Sequence, residues 1–396
     1  MFASLRELPR TVWLLGLVSF ANDATSELIY PLVPIYLASV LMAGPRALGI
    51  IEGICEATSS ILKLLSGVLS DRRRSSKPWV VGGYALAAIA RPLLAFAASW
   101  PVVLALRFAD RVGKGLRSSP RDALLARSVQ PGKRGLAFGF HRAMDNAGAV
   151  VGPLIAAGLL AAELPLRTIF LWTALGGALT VVLALAIREP ASDDPAPPTA
   201  DAWKLHQLPT PFKRYLVVLA LFTLGNSSNM FLLLRARELG LAEYQVPLLW
   251  ALVSLSAAIF STPLSALSDK LGRSRLIVAG WGVYGAFYIL LGMNREVLLL
   301  WPLFAFYGLF MAATEGAEKA LAADLVDRQT LGTAYGWFNL TTGLTLLPAS
   351  VLFGQLWQAI DPLAAFVFSA SCAGSAALLL HFWVGTERGA RSTGSA

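Results

Sequence analysis

Gly67-Val-Leu-Ser-Asp71-Arg72-Arg73-Arg74-Ser-Ser-Lys77 is echoed by Ser265-Ala-Leu-Ser-Asp269-Lys270-Leu-Gly272-Arg273-Ser-Arg275. Each copy follows a long apolar run and precedes another. The two aspartates stand 269 − 71 = 198 positions apart, half of the 396-residue chain. A charged connection that recurs at half the chain length implies a duplicated unit. The repeat extends further. Gly135-Leu-Ala137-Phe-Gly139-Phe140 returns 197 positions later as Gly332-Thr-Ala334-Tyr-Gly336-Trp337, and Gly148-x3-Gly152-Pro153 has a counterpart in Gly343-x4-Pro348. Small residues at such spacings let helices approach closely.

Composition places the chain in a membrane. Hydrophobic residues make up 56% and charged residues 14%, against about a quarter charged in soluble domains. The net charge of +9 does not point to nucleic acid, because the basic residues sit mostly in short loops between apolar runs. Cys55 and Cys372 each lie inside an apolar run, so neither a disulfide framework nor a zinc site is expected. The first run begins at Thr11, is too long for a signal-peptide core and contains Asp23 and Glu27, so it reads as a retained membrane helix.

Crossing the hydrocarbon core takes about 20 helical residues. Twelve such runs can be drawn, near 11–37, 47–70, 78–99, 101–126, 135–161, 168–187, 214–236, 246–268, 276–293, 299–325, 333–357 and 363–385. Sustained period-two alternation, the mark of a membrane β-barrel, is missing. With both termini cytoplasmic, about 20 Lys and Arg fall in cytoplasmic segments and 5 on the opposite side, a positive-inside bias. The longest polar connection, rich in proline and acid, divides the chain into an N-terminal six-helix bundle (1–188), a cytoplasmic linker (189–213) and a C-terminal six-helix bundle with a short tail (214–396).

Ionisable groups at membrane depth cost several kcal/mol unless paired or wet, and so mark a pathway. The first run holds Asp23 and Glu27 at i and i+4. The second holds Glu52, Glu56 and Lys63 along one stripe. The fourth holds Arg107, Asp110, Arg111, Lys114, Arg117 and Arg121 in steps of three or four. The fifth opens with His141, Arg142 and Asp145, and the tenth holds Glu315, Glu318 and Lys319. Within helices Asp110 is expected to pair with Arg107 or Lys114, and Glu315 with Lys319; across helices Asp23 or Glu27 is expected to meet Arg107, Arg111 or Arg142. A buried carboxylate that loses its basic partner favours its protonated form, which couples proton movement to a conformational change. Arg121, Asp122, Glu318 and Lys319 fit the rim, and His141 fits a hydrogen-bonded rim residue better than a metal ligand. The second half is milder: Asn226, Ser227, Ser228 and Asn229 cluster in the seventh run, and Trp250, Tyr307, Trp337 and Asn339 fall in runs that could share its cavity. Gly113-Lys114-Gly115 lacks the earlier glycine and the following Ser or Thr of a P-loop, so no nucleotide drive is expected.

These motifs resemble those of the major facilitator superfamily over essentially the whole chain. Gly67-x3-Asp71-Arg72-x4-Lys77 resembles the signature loop between its second and third helices, and Asp269-Lys270-Leu-Gly272-Arg273 resembles the second copy. Gly148-x3-Gly152-Pro153-x4-Gly158 is similar to the fifth-helix motif of antiporters, and Arg107 to the intramembrane arginine of the fourth helix. Three positions depart: Arg74 and Ser265 replace glycines of the two hinges, and Arg111 stands where a glycine usually follows the arginine. The resemblance implies an all-α membrane protein with twelve transmembrane helices in two pseudo-symmetric six-helix bundles that rock to expose one site to each side in turn. It implies a gating role for the hinge residues Gly67, Asp71, Arg72, Lys77, Asp269, Lys270, Gly272 and Arg273, and a packing role for Gly148, Gly152 and Pro153.

The resulting expectation is a proton-coupled secondary transporter of a small organic molecule, working as an efflux antiporter in a bacterial-type inner membrane. It would be a monomer in contact with lipid, without cofactor or metal and with no enzymatic constellation. The alternative keeps the fold and reverses the direction: uptake of an anionic metabolite or chelate with protons, drawn by Arg107, Arg111, Lys114 and Arg117. That alternative depends on whether acids already neutralise the cationic stripe. A non-transporting sensor would need an output domain, and none is visible.

Overall fold

A computed structural model describes residues 8–73, 75–130, 134–189, 205, 208–326 and 331–384. Within its helices the side chains at 64, 67–73, 134–136, 261–263, 265–270, 315 and 331–333 are outside the described set. The predicted roles of Gly67, Asp71, Arg72, Asp269, Lys270 and Glu315 therefore lie outside the described residues.

Among the described residues the chain is helical, without strands. The first half contains α1 (Arg10–Ile29), the short α2 (Leu32–Ile35), α3 (Pro45–Arg73), α4 (Lys77–Leu93), α5 (Trp100–Arg127), α6 (Arg134–Ala161) and α7 (Leu166–Leu185). The second contains α8 (Thr210–Gly225), α9 (Met230–Glu238), α10 (Gln245–Leu271), α11 (Arg273–Met293), α12 (Leu300–Asp324), α13 (Leu331–Ala359) and α14 (Pro362–Leu379).

Seven helical segments among the described residues are long and apolar enough to cross a membrane: Lys77–Phe96, Ala137–Ala161, Leu166–Leu185, Thr210–Glu238, Arg273–Met293, Ala334–Ala359 and Pro362–Val384. Their outward faces are apolar, as at Leu175 (65% exposed) and Leu378 (62%), which suits hydrocarbon and not water. The other apolar runs of the sequence also fold as helices. The clearest case is α5, whose interior charges lower its mean hydropathy.

Two runs that read as continuous are interrupted. Pro31 lacks the N–H that would continue α1, so the chain turns at Tyr30–Pro31 and ends in a wider π turn, in which Leu41 N donates to Tyr36 O at 3.1 Å. The seventh run breaks at Asn226, whose φ of −92° and ψ of 75° are not helical. The Asn-Ser-Ser-Asn sequence there competes for backbone hydrogen bonds that a helix would otherwise make.

The helices gather into two compact units. One comprises residues 1–43, 54–199 and 241–251; the other comprises 44–53, 200–240 and 252–396. Each unit thus contains a segment of about ten residues from the opposite half of the sequence. The same neighbour relations recur within each. In the first, α1 packs on α6 and α7, and α4 packs on α5 and α7; in the second, α8 packs on α13 and α14, and α11 packs on α12 and α14. The sequence repeat is thereby expressed as a repeated packing scheme.

Close crossings depend on glycine. A Cβ on Gly148 would lie 2.7 Å from Phe20 O and 3.0 Å from Asp23 Cβ, and one on Gly152 would lie 2.8 Å from Leu28 N and against Ala24 O. These two glycines let α6 lie directly on α1, while a Cβ on Gly158 would meet nothing within 4 Å. The three glycines of the antiporter-like motif are therefore not equivalent. Gly113 and Gly115 face opposite neighbours. A Cβ on Gly113 would be 3.4 Å from Ala87 N of α4, and one on Gly115 would be 3.1 Å from Ser59 O of α3. The Gly-Lys-Gly run is a wedge that seats α5 between two helices. Gly272 opens α11 with φ of 91°, a conformation that disfavours any Cβ.

Gly152→Ala is expected to lower stability by about 1–3 kcal/mol through overpacking against backbone. Gly158→Ala is expected to be neutral or to gain up to about 1 kcal/mol in helix propensity. Thermal unfolding of both variants in one detergent checks this, and equal midpoints would remove the assigned role of Gly152.

Candidate functional site

The densest charge of the first unit lies on α5. Asp110 is 3% exposed and accepts a hydrogen bond from Arg91 Nε of α4 at 2.9 Å. Arg107 Nη1 lies 3.8 Å from its other oxygen. Arg91 is itself 4% exposed and donates through Nη1 to the backbone carbonyl of Asn22 on α1 at 3.1 Å. One guanidinium therefore joins three helices around one carboxylate. A second pair lies one helical step away, where Arg111 Nε is 3.2 Å from Glu56 Oε1 of α3. Buried pairs of this kind contribute little net stability while intact, but losing one partner strands a charge and costs about 3–5 kcal/mol.

The next two cations have a different environment. Arg117, 5% exposed, places its guanidinium 4.6 Å from the centroid of the Tyr84 ring, and its Nη1 is buried with no hydrogen-bond partner among the described residues. Neither Arg117 nor Lys114 forms an ion pair among the described residues. The cationic stripe is thus only partly neutralised by neighbouring acids.

A separate acid cluster sits where α1 crosses α6. Ser19 Oγ donates to Asp145 Oδ1, and Arg121 Nη1 donates to Ser19 Oγ at 3.3 Å. His141 Nδ1 lies 3.5 Å from Asp145 Oδ2. Asp23 accepts from Asn22 Nδ2 at 2.8 Å and packs against Gly148, three residues along α6 from Asp145. Asp23 and Asp145 consequently occupy facing surfaces of one tight crossing.

Several pairings differ from the sequence expectation. Asp110 pairs with Arg107 as expected, at 3.8 Å, but has its shortest contact with Arg91, a residue of another helix, at 2.9 Å. Glu27 accepts a hydrogen bond from Trp250 Nε1 at 2.8 Å instead of meeting Arg107, Arg111 or Arg142. Arg142 is exposed, outside the buried set. His141 is 4% exposed, a buried group whose Nδ1 faces Asp145. Lys63 is half-buried, and its carbonyl receives Ser119 Oγ of α5 at 2.6 Å. Arg91, Tyr84 and Ser19 were not singled out from sequence. The signal for Arg91 was present: it is a charge inside an apolar run, seven residues from Tyr84 and so on the same helical face.

The second unit builds its polar centre on the break between α8 and α9. The break leaves Gly225 O outside helical bonding, and Tyr284 OH donates to it at 2.7 Å. Asn229 Oδ1 accepts from Tyr307 OH at 2.6 Å. Ser228 Oγ donates to Glu52 Oε2 at 3.1 Å, while Ser228 N donates to Ser350 Oγ at 3.3 Å. Glu52 is 1% exposed and belongs to the 44–53 segment of this unit. Asn226 sits in the break itself. Tyr284 and Tyr288 stack at 4.1 Å, and Phe222 stacks on Trp281 at 4.3 Å. Trp250 belongs to the first unit, against Glu27 and 5.0 Å from Tyr30, and Asn339 is exposed. Tyr307 and Asn339 belong to the second unit.

Of the hinge residues described, Lys77 Nζ donates to Leu185 O at 2.9 Å. Arg273 Nη1 donates to Ala320 O at 2.5 Å and lies 3.0 Å from Asp324 Oδ1. Each basic hinge residue thus ties the start of one helix to the end of another. Among the described residues no group of His, Cys, Asp and Glu is arranged to hold a metal ion.

Seven helical segments among the described residues that are long and apolar enough to span define a multi-pass membrane protein, and comparison with known proteins gives the family. The family model for the Major Facilitator Superfamily matches residues 15–235 and 215–396. The chain belongs to the Major Facilitator Superfamily, a family of transporters and not of enzymes. It is 36% identical over 390 residues to an uncharacterized MFS-type transporter of Methanocaldococcus jannaschii, covering 95% of this chain and 96% of the relative. It is 24% identical over 335 residues to multidrug resistance protein MdtH of Photorhabdus laumondii, covering 83% and 82%. Among solved structures, the nucleoside transporter NupG superposes with a TM-score of 0.82 at 13% identity over 94% of this chain and 99% of that one. A POT family transporter bound to a thioalcohol-conjugated peptide superposes with 0.80 at 14% identity over 95% and 96%. These two likenesses are of fold.

Arg91→Met is expected to destabilise the protein by about 3–5 kcal/mol by stranding Asp110. Arg91→Met/Asp110→Asn is expected to recover at least half of that loss. Denaturant unfolding in a double-mutant cycle measures the coupling, and additive losses would disprove the pairing.

Proposed function

We propose that the protein is a proton-coupled secondary active transporter that exports a small organic molecule by alternating access. It would work as a monomer in a plasma membrane of bacterial type. The proposed frame is twelve transmembrane helices in two bundles, 1–188 and 214–396, joined by a cytoplasmic linker at 189–213, with both termini cytoplasmic. The observation that carries the coupling is the buried carboxylate of Asp110 between Arg91 and Arg107, with Arg91 also bonded to α1. A shift of α4 against α5 would separate Asp110 from Arg91, and the carboxylate would then take a proton in place of the lost cation. Asp23 and Asp145 at the α1–α6 crossing offer a second exchangeable pair, with Glu27, Glu56, Lys63 and Arg142 along the same pathway.

Export is supported by the antiporter-like motif, whose Gly148 and Gly152 make the α1–α6 contact, and by the similarity to MdtH, described as a multidrug resistance protein. The tyrosine-lined break, with Asn226, Asn229 and Glu52, would hold the organic body of the substrate, and Glu315 is assigned to the same pathway from its place in the sequence. The hinge residues Gly67, Asp71, Arg72, Lys77, Asp269, Lys270, Gly272 and Arg273 would bias the two packings of the halves.

In proteoliposomes, an imposed pH gradient is expected to drive flux of a labelled substrate, and Asp110→Asn is expected to lower the gradient-driven component at least tenfold while insertion stays normal. Flux indifferent to the gradient would end the proton-coupled reading.

A second reading, uptake of an organic anion with protons, is favoured by one observation: Arg117 and Lys114 have no acid in ion-pair contact among the described residues. Thermal-shift screening of carboxylates, phosphate esters and lipophilic cations at two pH values separates the readings. If anions stabilise the protein, Arg117→Gln is expected to weaken them about tenfold or more, as loss of a charge-assisted contact. Stabilisation by cations alone would exclude anion uptake.

A further inference from the structure

Away from the interior charges, a cleft of about 520 Å³ opens at one end of the first unit. Arg10, Thr11 and Leu14 at the start of α1, Lys77 at the start of α4, and Leu185 and Arg188 at the end of α7 line it. Three chain segments therefore contribute one cation each. Two hydrogen bonds hold the walls in place: Thr11 Oγ1 donates to Arg188 O at 3.3 Å, and Lys77 Nζ donates to Leu185 O at 2.9 Å. The adjacent acid makes no ion pair with these cations among the described residues. Glu189 accepts from Ser76 N at 2.6 Å, Lys77 N at 3.1 Å and Ser75 Oγ at 3.2 Å, so its carboxylate caps the start of α4. Among the described residues neither Arg10, Lys77 nor Arg188 forms an ion pair.

Three positive groups converging on one cleft call for an anion with several oxygens, and phosphate meets that geometry. The surroundings indicate what carries the phosphate. Along α7, Leu175, Leu179, Val182 and Leu185 are 65%, 53%, 63% and 55% exposed, spaced by three or four residues on one face that ends at the cleft. A soluble anion would use the cations and leave that track untouched. A phospholipid would use both.

We propose that this cleft binds the phosphate-bearing headgroup of an anionic lipid, with its acyl chains lying along α7. Lys77 closes the first copy of the repeated hinge sequence, so an occupied cleft joins α1, α4 and α7 at the hinge end of the unit. Basic pockets between membrane helices suit such headgroups.

The test uses the purified full chain in a neutral detergent, with phosphatidylglycerol, phosphatidylcholine or inorganic phosphate added over a concentration series. Thermal midpoint and lipid retained in native mass spectrometry are read together. Phosphatidylglycerol is expected to raise the midpoint saturably, and the other two to leave it unchanged. Arg10 and Arg188 donate no side-chain hydrogen bond among the described residues, so Arg10→Gln/Arg188→Gln should fold and bind phosphatidylglycerol roughly tenfold or more weakly. Arg10→Lys/Arg188→Lys should keep most of the affinity and stands in if the first variant fails to fold. An equal response to inorganic phosphate would make this a soluble-phosphate site and overturn the proposal. Undiminished lipid binding in the Gln variant would place the lipid elsewhere.

Discussion

The interior of the first unit depends on the cost of holding charge away from water. Asp110 and Arg91 are each almost wholly buried, on helices that hydrocarbon would surround. Neither is tolerable there alone, and together they contribute position more than stability. Arg91 is anchored to the Asn22 carbonyl as well as to Asp110, so the geometry of three helices is set by one guanidinium. The glycine wedge at Gly113 and Gly115 is the steric counterpart of this arrangement. It brings α5 close enough to α3 and α4 for the short charged contacts to form. Glycine packing and charge pairing are thus one design, since wider helix spacing would leave the ions apart and unsolvated.

The two units solve the same packing problem with different chemistry. Both use the same neighbour scheme, as a duplicated chain should. The first fills its interior with paired ions at helical spacing. The second interrupts a helix at Asn226–Asn229 and satisfies the freed groups with tyrosine and serine hydroxyls. Backbone irregularity at membrane depth is tolerated only where protein or a cavity supplies the missing hydrogen bonds, and the Tyr284 and Ser350 hydroxyls supply them here. A transporter needs both kinds of element: charges whose pairing can change, and an uncharged polar surface that can hold an organic body.

Much of the site was legible in the one-dimensional pattern because burying charge in a membrane is so costly that every such residue stands out. Asp23, Glu27, Glu52, Glu56, Arg107, Asp110, Arg111 and Lys114 were found that way, and all prove half-buried or buried. Arg91 meets the same criterion, a charge inside an apolar run. Partner choice was legible only in part, since Arg107 does pair with Asp110. Spacing of three or four residues favours pairs within one helix, and it pointed Asp110 toward Arg107 and Lys114. The tighter contact comes from Arg91 because the Gly83–Gly113 crossing brings α4 nearer to Asp110 than its own next turn. The break in the seventh run was equally hidden, since hydropathy registers Asn-Ser-Ser-Asn as a dip in polarity and not as a change of backbone.

Sequence alone determined the class of fold, the duplication and the apolar runs, because each is written in hydropathy and in repeat period. It also determined which residues carry charge into the membrane. Tertiary structure decided which charges neutralise one another, that Arg117 rests on Tyr84 with no acid in ion-pair contact among the described residues, and that Glu27 meets Trp250. It alone separated Gly148 and Gly152 from Gly158. The physical reason is range. Hydropathy and helical period act over neighbouring residues in the chain, whereas a salt bridge or a glycine contact is decided within about 4 Å, between residues that the sequence sets far apart.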